Sequence, residues 1–391
     1  MSRLNALTLF AATLTLGAVF CRPAPTAAAA SGTWAAQAGA GHPDFISVDG
    51  SNLNAKMASA VKRARAAGRQ TPFWTAFATE IRPGVRADEN VRDLEVMLDA
   101  PAGAPPPAAP SAAAPPESGA LAFFLLRGPE GAAVTRVEVY DLDKRRDFGG
   151  HPVYWLGRVS GAESLGFFQT LVEANGSPQV AQRSVTIIAL HADPGAPSLL
   201  RRYAQGSADG GVRGAAILGL GQVGGEEAFL AGLVRDEREP VESRKRAALA
   251  LGIDRDRAAL ASIQRLYEEP LPPEVKKHLI AAASLNQNRD EAAVFLAGVA
   301  RSGAGLELRK QAVLWLGLRT GGRGLEVLSQ IVNSPDADTE LQKHAVLARS
   351  LSGAKESKTL LTTIAGTHPK PAVRRQAVLW LSQGSIRSFN R

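Results

Sequence analysis

Apolar residues recur with helical spacing through the C-terminal part of the chain, and the pattern itself repeats. The ten residues from Leu308 (LRKQAVLWLG) and the ten from Val373 (VRRQAVLWLS) are identical at seven positions. Counted from Val180 onward, the same register recurs at intervals of 32, 31, 32, 33, 33 and 32 residues. One more step of 32 residues back reaches Phe148, where FGGHPVYWLG keeps the same ending. Repeats of this length indicate stacked supersecondary units, so we predict eight units over 148–391.

Each unit predicts a helical hairpin. If positions are numbered from the first residue of a unit, position 2 is usually basic, position 5 is usually alanine, position 9 is usually leucine and position 10 is often glycine. A first helix that is apolar on several sides predicts packing between neighbours, and we expect the glycines to cap its C-terminus. Position 1 is occupied by Phe148, Val180, Val212, Ser243, Val275, Leu308, Leu341 and Val373. Second helices are predicted at 164–174, 258–267, 291–300, 324–332 and 358–365. Prolines that mark the turns between units are Pro178, Pro240, Pro273 and Pro371.

The signature Val-Arg-x-x-Ala-x-x-x-Leu-Gly resembles the HEAT-repeat family, in particular the short HEAT-like repeats also found in bilin lyases. The resemblance covers about residues 148–391. It implies an α-solenoid of stacked antiparallel helix pairs with a concave binding surface, a geometry also expected of repeats that contact only their neighbours. Tetratricopeptide repeats have a similar length, but their tryptophan, tyrosine and proline spacing is absent. The resemblance therefore indicates a fold and leaves the function open.

The segment 31–147 differs and predicts a small α+β domain. A Pro/Ala-rich stretch at 100–119 has the composition of a linker and interrupts this domain. The turn residues Gly128–Gly131 (GPEG) between two apolar runs predict a hairpin. The predicted elements are a helix at Leu53–Ala67, a strand at Thr71–Ile81 and hairpin strands at Leu121–Arg127 and Val134–Leu142.

Residues 1–30 predict a secretory signal peptide. Arg3 supplies a positive charge, Leu7–Phe20 is a 14-residue apolar run, and Ala27–Ala30 offers small residues for cleavage. Such a run is short for the roughly 20 residues that span a bilayer, so a permanent membrane span is the weaker interpretation. We predict a periplasmic or secreted protein. Lipid attachment at Cys21 is the weaker alternative, because the bulky Phe20 precedes it where lipoprotein signals have a small residue.

Composition and charge narrow the function classes. The chain is 45% hydrophobic and 21% charged, which is typical of globular proteins, and its one cysteine excludes a disulfide framework and a Cys-based zinc site. Residues 31–147 hold 13 Lys and Arg against 14 Asp and Glu, whereas residues 148–391 hold 30 against 23. The solenoid therefore carries a net charge of +7. Summed charge attracts anionic partners without selecting among them.

No catalytic, cofactor-binding or metal-binding residue is predicted. The string Gly219–Gly224 (GLGQVG) has the form G-x-G-x-x-G but lies at the end of a repeat helix rather than after a strand, which favours a capping turn. His278 and His344 share one repeat position two units apart, too far apart to share a metal ion, and are predicted to be solvated or stacked in a ladder. Tryptophans at position 8, predicted to face the core, are Trp155, Trp315 and Trp380.

Basic residues at positions 2 and 3 predict a ladder of charge along the stacked helices. Basic groups in the first turn of a helix oppose its dipole, so nearby acids should compensate them. Glutamates directly before position 1 can do so: Glu242, Glu274, Glu307 and Glu340. A structural ladder is the favoured interpretation, and an anion-binding stripe is the alternative. The candidate partner-binding residues are Arg213, Lys245, Lys277, Lys310, Lys343, Arg374 and Arg375.

These observations predict an exported, non-enzymatic scaffold or adaptor that binds a macromolecule, most readily a protein, through the solenoid surface. One alternative is a bilin-lyase-like or other enzyme-assisting factor. A second is the binding of nucleic acid or another polyanion by the basic face, which is the least compatible with export. The last unit ends shortly after its first helix, with Val378, Leu379 and Leu381 predicted to be partly uncovered, so self-association through this incomplete repeat is a further expectation.

Overall fold

The computed structural model describes residues 45–68, 71–83, 120–131, 133–140, 148–174, 176–254, 257–319, 321–352 and 355–389. For residues 257, 319, 321, 355–356 and 383–389 it describes the backbone only. The predicted signal peptide at 1–30 and the predicted linker at 100–119 lie outside these ranges. All described residues from Ile46 onward belong to one structural unit.

A five-stranded sheet forms the N-terminal part of the described chain. Its strands are β1 (Phe45–Ser47), β2 (Phe73–Glu80), β3 (Ala120–Arg127), β4 (Val134–Tyr140) and β5 (Val153–Arg158), in the order β1-β5-β2-β3-β4. Strand β3 pairs antiparallel with both β2 and β4, whereas β2 and β5 are parallel. The hairpin predicted around Gly128–Gly131 is therefore confirmed, and so is the strand predicted at Thr71–Ile81.

Two helices accompany the sheet: α1 (Leu53–Ala66), which confirms the predicted basic helix, and α2 (Gly161–Glu173). Helix α2 begins with a capping box formed by Ser160 and Glu163, and Glu163 also accepts a hydrogen bond from the backbone N–H of Leu53 at 3.1 Å. One carboxylate therefore joins the first turns of both helices. These hydrogen bonds, led by the one from Leu53, lower the pKa of Glu163.

Thirteen helices follow among the described residues and form the solenoid. The first helices of the units are α3 (Pro178–Ile188), α5 (Gly210–Val223), α7 (Val241–Ile253), α9 (Pro273–Leu285), α11 (Leu306–Arg319), α13 (Thr339–Leu351) and α15 (Pro371–Phe389). The second helices are α4 (Ala196–Gly206), α6 (Glu227–Arg235), α8 (Arg257–Glu268), α10 (Arg289–Arg301), α12 (Gly321–Asn333) and α14 (Lys355–Thr367). Each first helix packs against its second helix and against the first helices of adjacent units. The predicted fold class, an α-solenoid of HEAT-like helical hairpins behind a small β-containing region, is confirmed.

The predicted unit at Phe148 is wrong in its secondary structure. Its residues contain strand β5, and Trp155 lies in the middle of that strand rather than on a repeat helix. Pro152 precedes the strand, and β-branched and aromatic residues fill its first half, a composition that suits a sheet. Similarity to the Trp-Leu-Gly segment inside α11 therefore does not predict a helix here. Trp155 is nevertheless buried, as is Trp315 in α11, so the prediction that these two side chains face the core is confirmed.

The glycines at position 10 are packing residues rather than C-caps, contrary to the sequence prediction. Gly221, Gly252 and Gly317 lie inside α5, α7 and α11. A Cβ atom on Gly317 would lie 2.8 Å from the carbonyl carbon and 2.9 Å from the Cβ atom of Ala348 in α13. The other two glycines approach the backbone of the next first helix in the same way, at Ala250 and Ala282. Glycine at this position therefore permits close backbone contact along the row of first helices.

One hydrophobic core runs from the sheet into the solenoid. Phe77 on β2 packs against Phe123 on β3, with ring centroids 5.7 Å apart, and both contact Phe168 on α2. His191, directly after α3, stacks on Phe123 at 5.7 Å. The same core continues through the position-5 alanines and position-9 leucines of the first helices. The sheet therefore covers the N-terminal end of the helix array.

Candidate interaction surface

The side chains at position 2 form hydrogen bonds to other parts of the same chain. The last four carbonyl groups of a helix have no intrahelical partner, and a cation close to them is favoured by the helix dipole. Position 2 places a hydrogen-bond donor beside the C-terminus of the preceding second helix. The donor-to-oxygen distances are 2.7 Å for Arg213 and Ser207, 2.9 Å for Arg244 and Val234, 3.0 Å for Arg309 and Ala300, 2.8 Å for Gln342 and Val332, and 2.7 Å for Arg374 and His368.

This arrangement gives two of the candidate partner-binding residues, Arg213 and Arg374, internal partners. Lys276 occupies the same position in α9 and instead places its ammonium group 5.1 Å from the ring centroid of Tyr267 on the preceding second helix. Arg82, at the end of β2, acts similarly from the sheet and donates to the carbonyl oxygens of Gln222, at 2.9 Å, and Ala189. The position-2 residues therefore join successive hairpins.

The position-3 lysines pair with the glutamates that precede position 1. The nitrogen-to-oxygen distances are 3.0 Å for Lys245 and Glu242, 3.0 Å for Lys310 and Glu307, and 2.9 Å for Lys343 and Glu340. The predicted compensation of the basic ladder is therefore confirmed in three units. The hydrogen bond from Lys310 is the main cause of a lowered pKa at Glu307, and Lys277 and His344, from the adjacent units, act in the same direction.

The exposed fractions of the paired side chains make this part of the surface acidic, whereas the sequence predicts a basic stripe. The three lysine side chains are 12%, 15% and 30% exposed, whereas their glutamate partners are 64%, 61% and 49% exposed. Each lysine lies low against the helix and its carboxylate partner projects outward. The groups that an approaching molecule meets first on this part of the surface are therefore carboxylates.

Leucines at position 7 lie on the same side of the first helices as these glutamates. A separation of seven residues is two helical turns, so Leu314 and Leu347 share a face with Glu307 and Glu340. Both leucines are partly exposed. We call this surface the ladder face, defined by Glu242, Glu274, Glu307, Glu340, Lys245, Lys277, Lys310, Lys343, Leu314 and Leu347. Arg375 lies outside it on α15, where it is exposed and has no hydrogen-bond or ion-pair partner among the described residues.

The ladder histidines bind their own helices. His278 and His344 at position 4 each hydrogen-bond through Nδ1 to the carbonyl oxygen four residues earlier, at 2.7 Å and 3.3 Å. Burial, followed by the charge of Lys310, lowers the pKa of His344. In the part of the chain that the structure describes, no group of three His, Cys, Asp or Glu side chains is arranged to hold a metal ion.

The structure contains a buried serine–histidine pair that the sequence does not predict. Ser164 and His191 are both fully buried, and the Ser164 hydroxyl lies 2.7 Å from Nε2 of His191. Nδ1 of His191 is 2.9 Å from the carbonyl oxygen of Ile187, so this nitrogen carries the proton and Nε2 accepts from the serine. Burial lowers the pKa of His191. A nucleophile and a base are thus in contact, but a substrate cannot reach them from solvent, and we assign the pair a structural role at the junction of sheet and solenoid.

Two other features add no chemistry. The string Gly219–Gly224 is packing and a helix end: Gly219 faces Ala189, and Gly224 follows α5 with a φ of 77°. The capping turn predicted there is confirmed for Gly224 alone. A cavity of about 410 Å³ lies along α1 and is lined by Asn54, Met57, Ala58, Val61, Lys62 and Arg65. Over the described ranges, no helix is both long and apolar enough to cross a bilayer.

Comparison with known proteins gives distant structural similarity alone. No protein-family profile matches the sequence, and no curated protein matches it significantly. Human deoxyhypusine hydroxylase, solved with glycerol, is 17% identical with a TM-score of 0.28, over 57% of this chain and 96% of that chain. The complex of CpcE and CpcF of phycocyanin lyase from a Nostoc species is 14% identical with a TM-score of 0.32, over 63% of this chain and 97% of that chain. The fold assignment rests on the helix pairs described above.

Proposed function

We propose that this chain is an exported, non-enzymatic scaffold that binds a protein partner on the ladder face of its solenoid. The observation that supports this proposal is the recurrence of one ion-pair geometry on that face. The same outward carboxylate and sheltered lysine are found on α7, α11 and α13, with a partly exposed leucine beside them on α11 and α13. Apolar contacts surrounded by ordered charges are typical of protein-binding surfaces.

The exposed carboxylates also indicate which chemical class of partner this surface suits. A polyanion such as nucleic acid would meet the glutamates before the lysines, and three of the four lysines of this face are already paired, so the surface suits a polyanion poorly. A protein segment with apolar and basic side chains complements it better. We therefore favour a protein partner over nucleic acid. Export is supported by the signal-like residues 1–30 alone.

Site-specific photo-crosslinking in native cells tests this function. A photoreactive residue replaces Leu347 on the ladder face, and a matched control replaces Val294, which is exposed on second helix α10. We expect a discrete protein adduct from position 347, recovered from the periplasm or the medium, and none from position 294. Equal adducts from both positions would argue against a specific surface. Recovery in the cytoplasm would contradict export, and nucleic acid in the adduct would contradict a protein partner.

A charge variant links the adduct to the carboxylates. Replacing Glu307 and Glu340 by lysine inverts the outward charge while leaving the position-9 core residues in place. We expect the adduct at position 347 to fall by tenfold or more, since like charge across an interface costs more than about 1.4 kcal/mol. A control with Glu326→Lys on the second helix α12 should leave the yield unchanged. An undiminished adduct in the double variant would refute recognition of the carboxylates.

A further inference from the structure

One side chain breaks the repeat pattern inside the solenoid core. Position 9 of the first helices is Leu220, Leu251, Ala283 and Leu316 in α5 to α11, and each of these side chains is buried among apolar neighbours. In α13 the same position is Arg349, which is only 8% exposed. A guanidinium group therefore lies where the other units place a hydrocarbon.

Among the described residues, no side chain supplies a counter-charge to the Arg349 guanidinium. Its Nε and Nη1 atoms are buried without a hydrogen-bond partner, and no carboxylate among the described residues forms an ion pair with it. Arginine keeps its charge under all ordinary conditions, so it cannot relieve the burial by losing a proton. An unpaired buried charge costs several kcal/mol, and arginines in protein interiors are normally matched by an anion.

The surroundings of Arg349 are polar on one side. It lies in the last turn of α13, where the Ser352 hydroxyl donates to the Arg349 carbonyl oxygen at 2.8 Å. The Ser352 hydroxyl also lies 3.0 Å from that of Ser357, which is buried in the first turns of α14. Two hydrogen-bonded hydroxyl groups therefore lie at the junction of the two helices, beside the main chain of Arg349.

We propose that Arg349 is the centre of a carboxylate-binding site between α13 and α14. A guanidinium fork matches the two oxygens of a carboxylate, and the single negative charge of a carboxylate neutralises it. A phosphate dianion would leave an excess negative charge in the same core, which disfavours it. The ligand is thus a small free carboxylate or the carboxylate of an acidic side chain. This site is independent of the ladder face.

Thermal unfolding of the whole chain in sodium acetate and in sodium chloride, at equal ionic strength, tests the proposal. Acetate should raise the unfolding temperature of the wild-type protein by a few degrees and then saturate, because a ligand stabilises the folded state that binds it. Phosphate should raise it less. Arg349→Leu, which restores the residue of the other units, should abolish the acetate response and be at least as stable as wild type in chloride. The exposed control Arg375→Leu should keep the response.

Several outcomes would overturn this assignment. An acetate response that is absent in the wild type, or unchanged in Arg349→Leu, excludes the site. A lower unfolding temperature of Arg349→Leu than of the wild type in chloride would show that the guanidinium stabilises the chain without a ligand, and would likewise contradict the site. A crosslinked partner at position 347 whose yield falls in Arg349→Leu, with no response to acetate, would assign the guanidinium to the protein interface in place of a free carboxylate.

Discussion

Gly317 determines how closely α11 and α13 approach, and its replacement by alanine measures the importance of that contact. A Cβ atom at this position would lie 2.8 Å from the Ala348 carbonyl carbon, whereas ordinary contact begins at 3.4 Å. The Ala348 carbonyl oxygen lies closer still, so the two helices must separate by more than the 0.6 Å that the carbonyl carbon alone would require, and each is already packed on its other side. Overpacking of this kind costs about 1–3 kcal/mol.

A matched control removes the contribution of helix propensity. Alanine is favoured over glycine inside a helix by about 1 kcal/mol, which partly offsets the clash in Gly317→Ala. Gly298, within α10, has open space where its Cβ would lie, so Gly298→Ala gains the propensity without a clash. We expect Gly298→Ala to be stabilised and Gly317→Ala to be destabilised, with a difference of about 1–3 kcal/mol between them.

Urea denaturation followed by far-ultraviolet circular dichroism measures this difference. The free energies of unfolding are compared at equal denaturant dependence, because a changed slope would report partial unfolding of the array. Equal stabilisation by both substitutions would refute the inference that the position-10 glycines are needed for backbone contact. That result would instead support the capping role that the sequence predicts for these glycines.

Three further predictions concern polar side chains that the structure gives an internal partner. Arg309→Met removes the hydrogen bond to the end of α10 and should lower the free energy of unfolding, measured by urea denaturation, by about 1–3 kcal/mol. The exposed control Arg375→Met should change the same free energy by less than about 0.5 kcal/mol. Because burial lowers the pKa of His191 below its usual 6.5, the unfolded chain binds the proton more tightly, so stability should fall as the pH drops below about 6.5. His191→Gln should flatten that pH dependence, and an unchanged slope would contradict it. Lys310→Met should cost under about 1 kcal/mol, and a salt titration should show the loss vanishing above about 0.5 M salt.

The repeat period made the solenoid predictable, because each unit repeats the same burial pattern with only small changes in length. The limits of prediction are visible at Phe148 and at position 10. Residues 148–157 end in Trp-Leu-Gly, which also occurs inside α11, but pairing between β5 and β2 overrides that local similarity. The usual role of glycine at helix ends predicts a C-cap at position 10. Its role here depends instead on a neighbouring helix, which the sequence of one unit does not specify.

The sequence predicts that glutamates and lysines pair on this surface, but it does not predict which of the two side chains projects outward. The alternation of Glu307 and Lys310 in the sequence predicts a pair, and the structure contains it. Which partner projects outward depends on how each side chain lies against the adjacent helix, and this has no signature in one unit. Arg349 did carry a signal, since a charged residue in a column of leucines is visible in the aligned units. The partner-binding role of the basic residues stays a prediction.

The contacts between position 10 and position 8 of the next unit limit how the units can be rearranged. Where position 10 is glycine, the facing position 8 is alanine, as in Gly221 with Ala250 and Gly317 with Ala348, and these helices contact each other most extensively. The same register sets Ser284 against Trp315. The chain therefore contains at least three kinds of junction, because Gly219 on α5 faces Ala189 in the reverse arrangement. Duplication, deletion or exchange of a unit should be tolerated only where it preserves the kind of junction on each side. Removal of the unit that begins with α7 would meet this condition, because Gly221 would then face Ala282, whereas removal of the unit that begins with α11 would set Ser284 against Ala348.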